Sequence, residues 1–259
     1  MNRMFNNNIT NKLKNLNSNY GAHALKASFE DEGVTDADLN DLILLSGDTK
    51  LKVYVKIGGC EANRDIETCL RMGIRGIVAP MVESDFAVSK FIDSVAERCS
   101  LFAIPYSPKL FVNLETETAC KNAKKIIKKH HKNLSGIVVG RSDLSKSLGL
   151  SKANVNDTRV MNVVRDTLNV AKDYNLQTKM GGTVSRDSSK LIYELWSNGL
   201  LDFFETRAVI FKLENVENIK KSIGEALSYE QMLLKRRHHF HSVKSSFFDS
   251  RVQSIEVRK

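Results

Sequence analysis

Residues 110–149, LFVNLETETACKNAKKIIKKHHKNLSGIVVGRSDLSKSLG, decide the fold. Each flank opens with a short apolar run of strand length, 110–114 and 136–139, and ends in polar residues that cannot continue a buried strand. Between them, 118–132 reads as a helix with Ala119, Ala123, Ile126 and Ile127 on one side and lysines opposite. Strand, helix, strand is a right-handed βαβ unit, so both strand C-termini open on the same face. Glu115 and Asp143 then stand side by side at the mouth of a parallel sheet. Two acids so placed are either a divalent-metal site or a pair of N-caps, Asp143 capping a helix that starts at Leu144.

The same alternation runs outward in both directions. Strands are expected at 24–28, 51–57, 76–79, 177–180 and 201–204, with helices at 36–45, 61–72, 85–98, 157–173, 188–197 and 216–236. Residues 100–108 are either a short strand or a linking loop. Seven strand–helix units at this spacing predict an α/β fold, a (β/α)8 barrel, and no GxGxxG or P-loop motif supports a nucleotide-binding open sheet. An eighth strand is not evident, so the first strand is expected to be degenerate or replaced. The organisation expected is a helical or irregular segment at 1–19, a catalytic barrel domain at 20–236 and a tail at 237–259.

Period-2 alternation sorts the strand residues by face. Lys26, Ser28 and Glu30 fall together, as do Tyr54, Lys56 and Gly58, and Phe111, Asn113 and Glu115. Val139, Arg141 and Asp143 share a face, as do Lys179, Gly181 and Thr183, and Phe203, Glu205 and Arg207. If these faces point inward, one mouth gathers Glu30, Glu115, Asp143 and Glu205 with Lys26, Lys56, Lys179 and Arg207. Charges there are costly unless paired, metal-bound or functional. Lys179, Glu205 and Arg207 become candidate substrate-binding residues on this ground.

Composition narrows the classes. The chain has 259 residues with 42% hydrophobic residues, enough for a proper core. No run approaches the ~18 apolar residues of a membrane span, and the Asn-rich start lacks an apolar signal-peptide core, so a cytoplasmic protein is expected. Cys60, Cys69, Cys99 and Cys120 show no CxxC or zinc spacing and read as reduced thiols. The net charge of +9 raises nucleic acid as a partner, but the lysines are dispersed as solvated helix faces and no nucleic-acid motif is present. An anionic small-molecule substrate suits the same balance.

Residues 55–84 (VKIGGCEANRDIETCLRMGIRGIVAPMVES), 111–122 (FVNLETETACKN) and 136–149 (GIVVGRSDLSKSLG) resemble the HpcH/HpaI aldolase and citrate lyase β-subunit family. KASFEDEG at 26–33, followed by VKIGGCEA, is similar to an aldolase/citrate-lyase-like subgroup of it. The similarity runs from about Lys26 to Phe211, with GRSDLSKSLG its most specific part. The resemblance implies a TIM barrel holding Mg2+ or Mn2+ that cleaves or forms a carbon–carbon bond of a small anionic 2-oxo acid, such as pyruvate, through a metal-stabilised enolate. By position, Glu115 and Asp143 match the family's metal-binding carboxylates, and Asn113 stands where a polar residue adjoins the metal. The Arg141-Ser142-Asp143 backbone matches the turn whose amides hold the substrate carboxylate. Lys56 falls where many members place an arginine on the oxo group. The family's catalytic histidine is replaced: the acid that precedes it aligns with Glu30, and Asp31 follows. Proton transfer would then fall to Glu30, Lys26 or a water on the metal.

Two rival readings remain at this stage. One is metal-free Schiff-base catalysis by Lys26, Lys56 or Lys179. The other is a non-catalytic anion- or nucleic-acid-binding member. In the tail, His238, His239 and His241 do not converge at helix or strand spacing. Phe247, Phe248, Val252, Ile255 and Val257 form an apolar set expected to dock on the barrel or on a neighbouring subunit. The resemblance, whose members exchange C-terminal segments in trimers or hexamers, favours a homo-oligomer.

Overall fold

The computed structural model describes residues 2–256, with side chains described over residues 7–254. An opening helix, α1 (Asn2–Tyr20), leads into β1 (Ala22–Ser28) and α2 (Asp36–Ser46), then β2 (Lys52–Lys56) and α3 (Asn63–Arg71), β3 (Gly76–Ala79) and α4 (Asp85–Leu101). Residues 102–108 are a loop, which settles the 100–108 ambiguity. Next come β4 (Lys109–Leu114), α5 (Glu117–Lys121), α6 (Ala123–His130), β5 (Gly136–Gly140) and α7 (Arg141–Ser147). The chain finishes with α8 (Thr158–Asp173), β6 (Gln177–Gly181), α9 (Ser189–Ser197), β7 (Phe203–Glu205), β8 (Val209–Lys212) and α10 (Ile219–Glu256). Helix starts follow local chemistry: Thr35 and Asp38 form a capping box on α2, and Ser84 and Asp157 cap α4 and α8. The single helix expected over 118–132 breaks in two at Asn122, which ends α5.

The eight strands close into a barrel in sequence order. β1 to β7 run parallel, as βα alternation requires. The eighth does not. β7 turns back through residues 206–208, and β8 lies antiparallel to both β7 and β1. The turn is tied by the Thr206 amide donating to the Val209 carbonyl at 2.9 Å and the Val209 amide donating to Thr206 Oγ1 at 3.2 Å. The expectation of a degenerate first strand is thereby corrected: β1 is intact, with 7 residues, and the strand hidden from the sequence is the last.

Alternation then builds two layers. Leu25, Val55, Ile77, Val112, Ile137, Met180 and Phe204 point outward under the helices. Ala24, Tyr54, Val78, Phe111, Val138, Phe203 and Ile210 point inward and plug the barrel. Ile9, Leu13 and Leu16 of α1 join the outer core, fully buried. α1 is held to α10 by a Lys12–Glu225 ion pair and by Ser222 Oγ donating to the Tyr20 carbonyl at 2.9 Å.

The C-terminal helix differs from expectation. α10 passes Arg236 without a break, and Phe240, Val243, Phe247, Phe248 and Val252 stand exposed on it. None of these five side chains docks on its own barrel. The Ile255 side chain and Val257 lie outside the described residues. The three histidines near its middle are exposed, and among the described residues no group of three or more His, Cys, Asp or Glu is arranged to hold a metal. No described helix is long and apolar enough to cross a membrane.

Candidate active site

The C-terminal ends of the strands open into a cavity of about 330 Å3. One inward step beyond the apolar plug, the strands present polar side chains: Lys26 on β1, Lys56 on β2, Asn113 on β4 and Glu205 just beyond Phe203 on β7. These line the cavity together with Glu115, Ser142, Asp143 and Arg207. A barrel's working face is this one.

Glu115, just past β4, is 3% exposed. Its Oε1 accepts from the Met81 amide at 2.9 Å, and its Oε2 accepts from Asn113 Nδ2 at 3.1 Å. Met81 holds that amide in place from a left-handed conformation, φ 51°, unusual for a residue with a side chain. A Cβ at position 140 would lie 2.5 Å from Glu115 Oε2, so β5 must end in glycine. Burial pushes the Glu115 carboxyl above its ordinary range; the Lys56 charge and the two hydrogen bonds oppose this, and the nearby Asp143 charge adds to it. Asn113 Oδ1 is buried beside Glu115 with no hydrogen-bond partner among the described residues.

Neither acid is a helix cap. α7 begins at Arg141, with Gly140 at the cap position and no side-chain cap, which puts Asp143 inside the first turn. The helix after Glu115 is capped by Thr116 Oγ1, which accepts from the Ala119 amide at 3.1 Å. Asp143 is partly exposed and pairs with Lys146 at 3.4 Å, a weak surface pair. Two carboxylates and an unpartnered amide oxygen beside one cavity form an all-oxygen donor set, which fits a hard divalent cation such as Mg2+ or Mn2+.

Ion pairs hold the strand lysines. Lys56 Nζ lies 2.5 Å from Glu30, and Lys26 pairs with Glu205. Burial lowers the Lys56 pKa, but the Glu30 hydrogen bond and the charges of Glu115 and Asp31 outweigh it, so Lys56 stays protonated. Glu30 itself does not line the cavity and backs Lys56 instead. At the rim, Arg207 donates to Asp31 at 2.9 and 3.4 Å, with Glu32 at 3.8 Å.

Two side chains that alternation placed at the mouth lie elsewhere. The Arg141 guanidinium is fully buried, donating to the Gly181 and Gly182 carbonyls at 3.1 Å each and to Asn156 Oδ1 at 2.7 Å. The side chain thus fastens the loop after β6; the carboxylate contact expected of this turn lies with its backbone amides. That loop packs tightly: a Cβ on Gly182, already at φ +83°, would sit 2.4 Å from the Ser142 nitrogen. Thr183, next in the chain, shares a 2.8 Å hydrogen bond with Ser142 Oγ at the cavity wall. The period-2 grouping of Val139, Arg141 and Asp143 also fails. Val139 points into the outer core, and the chain is already helical at Arg141.

Lys179 is the second displaced residue. Register puts it opposite Val138 and Phe203, inside the apolar plug. Its Nζ has no hydrogen-bond partner among the described residues and lies 3.4 Å from the centroid of the Phe111 ring and 4.5 Å from that of Tyr54. Burial pulls its pKa from 10.5 to about 7, with the Glu205 charge pulling the other way. It is not among the cavity's lining residues.

Some lining residues escaped sequence reasoning. Leu227 and Glu230 reach the cavity from α10, and Asp31 and Glu32 from the loop after β1. Glycine pairs followed by threonine at 181–183 were a usable signal for the Thr183 loop. For Glu230 there was none, because nothing local tells which helix of a barrel leans over the mouth.

A closed barrel with two carboxylates and paired lysines at its C-terminal mouth defines the class: an α/β barrel with a charged cavity on its working face. The model of the HpcH/HpaI aldolase/citrate lyase family matches residues 37–188, more than half of the chain, and the chain belongs to that family, an enzyme of lyase or aldolase type. Among solved structures the chain is similar to the citrate synthase SbnG, at 19% identity over 90% of each chain with a TM-score of 0.62. It is similar to the HpcH/HpaI aldolase from Desulfitobacterium hafniense DCB-2 at 13% identity, over 77% of this chain and 82% of that one, TM-score 0.61. Macrophomate synthase matches at 14% identity over 75% and 72%, TM-score 0.56. At these identities the structures attest the fold. No curated protein sequence matches the chain.

Proposed function

We propose that the protein is a divalent-metal-dependent carbon–carbon lyase, or the synthase running in reverse, acting on a small 2-oxo acid. The observation that carries this reading is the trio of Glu115, Asp143 and the unpartnered Asn113 Oδ1 beside the cavity. Glu115 and Asp143 would hold Mg2+ or Mn2+, with the remaining ligand positions left to solvent and substrate. Such an ion supplies Lewis-acid polarisation of the oxo group.

The chain's own residues supply the rest. Lys56, kept charged by Glu30, offsets negative charge that develops on the oxo oxygen. The Ser142–Thr183 hydroxyl pair supplies a neutral polar contact for a carboxylate or oxo group. Arg207, pinned by Asp31 and Glu32, and the Lys26–Glu205 pair are compensated charges at the rim and wall, so attraction of an anionic substrate would fall to Lys56 and the divalent ion.

The Schiff-base alternative lacks a suitable lysine. Lys26 and Lys56 are tied in ion pairs, and Lys179, the one with a depressed pKa, stands behind aromatic rings off the cavity. A nucleic-acid role finds little support in the 121–132 lysines, several of which are spent on Glu117 and Asp85. The four free cysteines suit the cytoplasm. The exposed apolar set on α10 supports a homo-oligomer joined through this helix.

The test is pyruvate release from a panel of 4-hydroxy-2-oxo acids, coupled to NADH oxidation by lactate dehydrogenase. Turnover that needs Mg2+ or Mn2+ and disappears with chelator supports the reading. Cleavage that survives chelator, or is absent across the panel and in the condensation direction, overturns it.

A further inference from the structure

We propose that Glu230, on α10, is the general acid–base of this site, taking a proton from C3 of the 2-oxo acid and returning it in the reverse reaction. The inference rests on the 2-oxo acid reading above.

The cavity's other candidate bases are engaged. Glu205 is bound to Lys26, Asp31 to Arg207, and Glu32, though burial raises its carboxyl too, lies between Arg207 at 3.8 Å and Arg237 at 3.7 Å; Glu30, off the cavity, is held by Lys56. Burial alone would raise the Asp31 carboxyl, but the Ser28 hydrogen bond and the charges of Lys56 and Arg207 hold it below its usual range, which makes it a poor base. Glu115 and Asp143 are assigned to the metal. Glu230 remains. It lines the cavity, is half-buried, and has no hydrogen bond or ion pair among the described residues. Leu227, one turn earlier, lines the same wall, so this face of α10 forms part of the cavity boundary. The charged groups around it are Arg207 on the β7–β8 turn, Asp31 and Glu32 on the loop after β1, and Arg237 two turns on in its own helix. Burial raises the Glu230 carboxyl from its usual range, with only the Arg207 charge opposing, which moves it toward the working range of a base.

The step balances without a co-reactant. The C3–H bond breaks and an O–H bond forms on the Glu230 carboxylate. The C–H electron pair becomes the C2–C3 double bond, and the oxo π pair moves onto oxygen, facing Lys56. In the cleavage direction the same carboxylic acid returns the proton to C3.

The experiment follows exchange of the pyruvate methyl protons in D2O by 1H NMR with the Mg2+-loaded protein, for wild type, Glu230→Gln and Glu230→Asp. Circular dichroism and Mn2+ titration calorimetry are run on each. We expect Glu230→Gln to slow exchange ~10²–10⁴-fold, the span of one lost acid–base group, while fold and Mn2+ affinity stay unchanged. Glu230→Asp should recover part of the rate, and the acid limb of the wild-type pH–rate profile should vanish in Glu230→Gln. Wild-type exchange retained within about twofold in Glu230→Gln overturns the assignment of Glu230 alone. So does a loss in Glu230→Gln accompanied by lost Mn2+ affinity or fold, with Glu230→Asp folded and no faster. A wild-type protein that exchanges the C3 protons of neither pyruvate nor 2-oxobutanoate overturns the 2-oxo acid reading and this inference with it.

Discussion

Replacing Lys179 by methionine should make the protein more stable. The lysine stands at register positions shared with Val138 and Phe203, 1% exposed, with its Nζ unpartnered among Phe111, Tyr54 and Phe203. Its pKa falls from 10.5 to about 7 on folding, mainly through burial. Between these values the unfolded chain binds a proton that the folded one does not, so stability rises with pH across that window. At about 1.4 kcal/mol per unit, the penalty near pH 7 is about 4 kcal/mol. Contact of Nζ with the Phe111 ring at 3.4 Å returns about 2 kcal/mol to the charged form, which leaves a net cost of about 2–4 kcal/mol. Methionine keeps the volume and the aromatic contacts while removing the charge. Urea denaturation at pH 7, 8.5 and 10 should show Lys179→Met ahead of wild type by that amount at pH 7, with the gap closing toward pH 10. A variant less stable than wild type at pH 7, or a gap that does not change with pH, refutes the reasoning.

Lys56→Ala should lower turnover ~10²-fold or more, and Lys56→Arg should retain part of it, since the charge opposite the oxo oxygen survives while its reach changes; steady-state kinetics on the active substrate checks both. Borohydride trapping should yield no lysine adduct. Deleting the chain after Ser242 removes Val243, Phe247, Phe248 and Val252, all more than half exposed on α10, and light scattering should report a smaller species. An unchanged mass contradicts the proposed role of this helix in assembly.

Most of the barrel was legible because its signals are local. Thr35 and Asp38, Ser84 and Asp157 mark helix starts by their own side chains, and β1 to β6 are apolar runs stopped by polar residues. β8 was not legible because it consists of four residues reached by a three-residue turn, where βα spacing leads one to expect a helix. Lys26, Lys56, Asn113 and Glu115 were found by alternation, which holds as long as a strand continues. The same rule misplaced Arg141, where the chain had already become helical, and it gave Lys179 the correct inward face without its depth. Depth depends on register, and register belongs to the neighbours. Glu230 needed the tertiary course of α10.

The central claim is that Glu115 and Asp143 together hold a divalent cation. Titration calorimetry of Mn2+ into wild type, Glu115→Gln and Asp143→Asn tests it most directly, with circular dichroism to show that each variant is folded. Both acids sit at the strand mouth outside the apolar core, so the variants should fold. The account predicts a single Mn2+ site in wild type that is lost in each variant. Unchanged Mn2+ affinity in both variants contradicts it.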